Sequence, residues 1–111
     1  MEIKVTRHGD VPVFRLKGRL SVVGADDLEK QIVQSIDAGA KRLLFVLDDL
    51  EYISSAGLRV LLIVAKKVQQ AQGKVALCGL TPNVREIFAI SGFDAIFTIQ
   101  PDAAAAVAAV R

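Results

Sequence analysis

An α/β fold in a single domain is what this sequence predicts, and three observations predict it. Apolar residues alternate in some stretches and recur every three or four residues in others, so the period of strands and that of helices follow one another along the chain. The run Leu43-Leu44-Phe45-Val46-Leu47, bounded by Lys41-Arg42 and Asp48-Asp49, is the pattern of a strand covered on both faces. Finally, 111 residues with 52% hydrophobic and 23% charged side chains suffice for one core and leave no room for a second folded unit. Residues 1–111 are therefore expected to form a small mixed sheet of about four to five strands with about four helices packed on it.

Each element has its own justification. Ile3 and Val5, then Val11, Val13 and, after a phase shift at Phe14, Leu16 alternate with polar residues, and His8-Gly9-Asp10 supplies turn chemistry between them. This predicts an opening hairpin. From Gly24, Leu28, Ile32 and Ile36 recur every four residues, Asp26, Asp27 and Glu29 suit a helix N-terminus, and Gly39 is a stop. After the buried strand, Leu58, Leu61, Leu62, Ala65 and Val68 define the expected core stripe of a second helix that ends at Gln72-Gly73. Val75-Ala76-Leu77 reads as a further strand. Thr81-Pro82 then offers a cap and a first-position proline for a third helix over Val84, Ile87 and Phe88, closed by Ser91-Gly92. Ile96, Phe97 and Ile99 suggest a last strand, and Pro101-Asp102 opens an alanine-rich final helix whose composition favours helicity over packing.

Composition excludes several functions. The 14 basic and 12 acidic residues alternate along the chain, so no electrostatic footprint for nucleic acid or an anionic membrane is expected. No apolar stretch approaches the roughly 18 residues of a membrane span, and the N-terminus lacks the apolar segment of a signal peptide, so a reducing cytoplasm is the expected location. One cysteine and one histidine cannot assemble a His/Cys zinc cluster. There is no Gly-rich phosphate loop and no nucleophile elbow around Ser54-Ser55. His8 reads as a turn residue, Cys78 as a core side chain and Asp48-Asp49 as solvated turn residues, rather than as catalytic groups. The chain is not expected to be an enzyme, and no cofactor or metal is expected.

Tyr52 to Leu62 is the informative segment. Ser54 and Ser55 fall where the second helix begins. A serine there can cap an orphan backbone N–H, for about 1 kcal/mol. The same N–H groups and the positive end of the helix dipole also suit a phosphate, so a phosphoserine could change the surface charge without melting the helix. On the expected stripe, Val60 and Ile63 lie on the outer side beside Arg59, Lys66 and Lys67, as a patch that docks a partner, while Val64 is expected to pack against the third helix.

The segment resembles the signature of STAS domains, specifically the bacterial anti-sigma factor antagonists, whose motif is Asp-Ser-(Ser/Thr/Ala)-Gly-Leu-Gly followed by aliphatic residues. Ser55, Ala56, Gly57 and Leu58 match it, and "DLEYI" before them is similar to the family's lead-in. "RLKGRL" and "LCGLTPNVREIFAISGF" extend the likeness over almost the whole chain. The resemblance implies a partner switch. An unphosphorylated antagonist binds a protein that is both anti-sigma factor and ATPase-fold serine kinase. Phosphorylation of the motif serine, here Ser55, breaks the complex, and a PP2C-type phosphatase restores it. Ser54 stands where the family has aspartate and Arg59 where it often has glycine, which makes Ser54 an alternative acceptor and lets Arg59 pair with a phosphate or a partner carboxylate. Ser54, Ala56, Gly57, Arg59, Val60 and Ile63 are the implied contact residues. The alternative within the same resemblance is an unphosphorylated STAS module that binds a nucleotide or small ligand, or serves as a subunit of another signalling or transport assembly.

Overall fold

Alternation carries the opening of the chain. In the computed structural model, which describes residues 1–111, β1 (Glu2–His8) and β2 (Val11–Leu20) form an antiparallel hairpin closed by Gly9-Asp10. There follow α1 (Val22–Asp37), β3 (Arg42–Ile53), α2 (Ser55–Gln70), β4 (Lys74–Cys78), α3 (Pro82–Ser91), β5 (Thr98–Gln100) and α4 (Ala103–Val110). The five strands lie in the order β1-β2-β3-β4-β5, with every pair after the first parallel. The expected order of elements holds throughout.

This topology places the helices. Each parallel crossover from β2 to β5 steps in the same direction, and because such crossovers are right-handed, α1, α2 and α3 must land on one face. That face buries Phe14, Leu16, Leu43, Phe45, Leu47 and Leu77 against Leu28 and Ile32 of α1, Leu61 and Val64 of α2, and Val84 and Phe88 of α3. The strand residues between them point the other way. Val11, Val13, Leu44, Val46, Ala76 and Cys78 form a second core against Ala106, Val107 and Val110 of α4. The alanines of α4 therefore serve packing as well as helicity, since small side chains let it lie close on the sheet.

Three local expectations are corrected. First, α1 begins at Val22, two residues ahead of Gly24, and its acidic residues lie beyond the first turn. Second, β3 runs past Leu47 to Ile53, so Asp48-Asp49 are strand residues and not a turn. The reason is tertiary: β2 supplies a continuing ladder through Lys17↔Asp49 and Leu20↔Ile53, with register shifts around Gly18, whose φ of +99° suits a bulge. Third, the last strand begins later than Ile96, after a short 3-10 turn at Phe93–Ala95. The caps behave as read: the Thr81 hydroxyl accepts from Val84 N–H, Asp102 accepts from Ala105 N–H, and Gly92 ends α3 in the left-handed region.

Candidate functional site

The two serines at the start of α2 have different roles. Ser54 is the cap: its backbone is extended, and its Oγ accepts the Gly57 N–H at 3.2 Å. Its own N–H donates to the Leu20 carbonyl at 2.9 Å, tying the start of α2 to the end of β2. Ser55 is the first helical residue, and its side chain is exposed. The capping role thus needs only Ser54, and the Ser55 hydroxyl stands in solvent beside the positive end of the helix dipole. No acidic residue occupies the first turn of α2.

Gly57 sets the rotation of the helix. A Cβ at this position would come within 2.8 Å of Leu20 and Ile53 side-chain atoms, so only glycine allows α2 to approach the ends of β2 and β3 this closely. With Gly57 facing inward, the residues three, four, seven and eleven positions on, Val60, Leu61, Val64 and Val68, follow it into the core. This overturns one expected contact: Val60 is 4% exposed and belongs to the core rather than to a docking patch. The expected stripe is rotated accordingly. Leu62 comes out half-buried on the outer side, and Leu58 and Ala65 pack only at the core's margin. Nearly every residue from Ala56 to Ala65 is apolar, so periodicity alone left the rotation open.

What remains outside is a stripe of Ser55, Arg59, Leu62 and Ile63 at helical spacing. Ser55 and Arg59 are one turn apart and both exposed; Ile63 and Ala56 are half-buried. Two neighbouring valines escaped the sequence reading. Val22 and Val23, at 70% and 82% exposed, open α1 directly beside the start of α2. Tyr52, two residues before Ser54, is also exposed, and its ring carries the Arg19 guanidinium 4.5 Å from its centroid. The signal for the valines was two adjacent β-branched residues that no predicted stripe used.

The other candidates lie elsewhere. His8 is exposed at the end of the sheet opposite Ser55, where β1 meets β2. Cys78 is fully buried in the second core, and burial, with Asp48 and Asp102 nearby and Arg15 opposing them, pushes its thiol up to about 11. It is therefore a neutral packing group at physiological pH. Asp48 and Asp49 are exposed, and Asp48 packs against Gly79, where a Cβ would overlap its carboxylate. No three His, Cys, Asp or Glu side chains come together as a metal site would require, and no helix is long and apolar enough to cross a membrane.

Comparison with known proteins agrees with this arrangement. The STAS domain family matches residues 2–106. A Bordetella bronchiseptica protein, BtrV, named as a candidate anti-sigma factor antagonist, is 46% identical over 111 residues, covering 100% of this chain and 96% of its own length. Among solved structures, a candidate anti-sigma factor antagonist from Thermotoga maritima superposes with a TM-score of 0.93 at 23% identity, covering 98% of this chain and 94% of that one. The phosphorylated form of the Bacillus cell fate determinant SpoIIAA superposes at 0.79 with 20% identity, covering 99% and 100%. With the family signature matched across nearly its whole length and the fold superposable on solved members, this chain belongs to the STAS domain family, in the company of proteins named as anti-sigma factor antagonists.

Proposed function

We propose that this chain is an anti-sigma factor antagonist that works as a phosphorylation-controlled binding module and not as an enzyme. Unphosphorylated, it holds an anti-sigma factor that is also an ATPase-fold serine kinase, and phosphorylation of Ser55 releases it. A PP2C-type phosphatase resets the switch, and the cytoplasm is where such a cycle would run. The observation that carries this reading is the division of labour between the serines: Ser54 caps α2, so Ser55 is exposed and free to be modified while the cap stays intact.

Physical chemistry supports both halves of the switch. A phosphate at Ser55 brings about −1.5 to −2 charges to the positive end of α2, where they are stabilised by up to about 1 kcal/mol, so the fold tolerates them. The same charge pressed into an interface against Leu62, Ile63 and the α1 valines loses its hydration, and every 1.4 kcal/mol of that cost weakens binding tenfold. Arg59, one turn on, is placed to reach the phosphate or a partner carboxylate. Ser55, Ala56, Arg59 and Ile63 form the proposed contact surface, with Ser54 and Gly57 shaping it from beneath.

The test uses wild type and Ser55→Asp as baits in native extract, with mass spectrometry of the retained proteins. An ATPase-fold serine kinase held by wild type and lost by Ser55→Asp is the expected result. Equal retention by both baits, or phosphate mapped to Ser54 after incubation with that kinase and ATP, would overturn the assignment.

A further inference from the structure

The far end of the sheet holds a cavity that this switch does not use. A cleft of about 740 Å³ opens where the parallel strands begin, between the C-terminal end of α1, the turns leading into β3 and β4, and the β1–β2 hairpin. Five of the chain's 14 basic residues line it, Arg7, Lys41, Arg42, Lys74 and Arg111, against one of its 12 acidic residues, Asp10. Charges that alternate along the sequence are thus segregated in space.

Internal partners do not account for these cations. The salt bridge in the molecule joins Lys30 to Asp26, away from the cleft. Arg7 donates to the Asp10 backbone carbonyl at 3.3 Å, and Lys74 donates at 3.0 Å to the main-chain oxygen of Arg111, a carboxylate oxygen in the 111-residue chain, so Lys74 is paired while Arg7, Lys41, Arg42 and the Arg111 side chain have no acidic partner. Helix dipoles explain only part of the excess. The C-terminal ends of α1, α2 and α4 meet here, each equivalent to about −0.5 charge, so together about −1.5. With the Arg111 carboxylate counted beside Asp10, the lining still exceeds that, with five positive charges against two negative.

Two of the cations also spring from adjacent backbone positions. Arg42 and Lys74 are direct register partners on β3 and β4, and like charges at paired positions are destabilising. Their backbone cannot relax: the Lys74 N–H donates to the Lys41 carbonyl at 2.8 Å, and Gly73 passes so close to that carbonyl that a Cβ would overlap it. A concave group of exposed guanidinium and ammonium donors, carried on a fixed backbone and most of them without an acidic partner, suits a multiply charged anion.

From this we infer that the cleft binds a small polyphosphate anion, read through its phosphate chain. Phe14 is the cleft's aromatic residue and is fully buried, so there is no platform on which a nucleobase could stack. Recognition rests on Arg7, Lys41, Arg42 and Lys74.

The experiment is an NMR and calorimetric titration of the full chain with sodium tripolyphosphate at about 0.15 M salt, where diffuse surface charge is screened beyond about 8 Å. Saturable one-to-one binding is expected, with amide shifts centred on residues 39–42 and 73–74. Lys41→Ala/Arg42→Ala should weaken it at least tenfold, whereas Lys66→Ala/Arg85→Ala, which removes two cations elsewhere, should not. ATP should bind no more tightly than tripolyphosphate. Absence of saturation, or equal weakening by both double variants, would refute a built site. Much tighter ATP binding would refute recognition through phosphates alone. Retention on anionic phosphoinositide vesicles without a response to tripolyphosphate would reassign the cleft to a lipid surface. Should the first double variant fail to give a native circular dichroism spectrum, Lys74→Gln carries the same expectation.

Discussion

The two ends of this sheet are built from the same elements and present opposite surfaces. Where the parallel strands finish, α1 and α2 begin, and the surface holds hydroxyls, exposed valines and Tyr52 around an open, positive helix terminus. Where the strands begin, helices end, and the surface is a cleft lined with cations. Because every parallel crossover runs in the same sense, helix dipoles of one sign gather at each end. Side chains then complete the contrast. At the first end nothing acidic in the first turn of α2 neutralises the positive terminus, which leaves room for a phosphate made there by modification. At the second end the basic residues more than offset the negative termini, which suits an anion that arrives by binding. On the two proposals made above, the same backbone plan would carry an attached charge at one end and a captured one at the other.

The comparison breaks if the two ends prove interchangeable, and the largest effect tests that directly. Ser55→Asp should weaken binding of the cognate kinase at least a hundredfold, about 3 kcal/mol, while leaving the thermal midpoint within about 2 °C of wild type. Lys41→Ala/Arg42→Ala should leave the same affinity intact by calorimetry. A kinase that loses its hold on the cleft variant as well would show one extended interface and not two separate ends.

A second effect of similar size lies beneath the first end. The Cys78 thiol ionises near 11 in the fold and at 9.0 when unfolded, so the unfolded chain loses its proton first. Stability should therefore be indifferent to this group below pH 9 and fall as pH rises from 9 to 11, by about 2 to 3 kcal/mol in total. Urea unfolding of wild type against Cys78→Ala across that range isolates the contribution, because the variant should lack this part of the decline.

Gly57→Ala comes next, at about 1 to 3 kcal/mol of destabilisation in urea, since the new methyl group must displace Leu20 or Ile53. The smallest effects separate the serines. Ser54→Ala should cost about 1 kcal/mol through the lost cap, and Ser55→Ala less than about 0.5 kcal/mol. Equal losses would mean that both hydroxyls support the helix and that their roles are not divided.

Much of this was legible beforehand because its causes are local. Thr81-Pro82, Asp102 and the turn at Gly9 act within a few residues, and so their elements appear where the sequence puts them. The motif around Ser55 is contiguous, which is why a candidate site could be named from the sequence. Val60 was misplaced because a helix apolar on almost every side has no unique inward face until a neighbour selects one. Val22 and Val23 were missed because their proximity to Ser55 depends on two helix starts lying side by side.

By itself, the sequence determined the order and type of the elements, their caps and stops, the alternation that divides strand side chains between two cores, and the motif that marks the start of α2. Short-range forces suffice for these: backbone hydrogen bonds within a turn, side-chain periodicity, and the φ preferences of glycine and proline. Tertiary structure decided the rest. Packing of Leu20 and Ile53 against Gly57 chose the rotation of α2, the β2 ladder drew Asp48-Asp49 into a strand, and sheet register brought Arg7, Lys41, Arg42, Lys74 and Arg111 to one cleft. Those outcomes depend on which residues meet across tens of positions, and that is set by packing and register rather than by any local pattern.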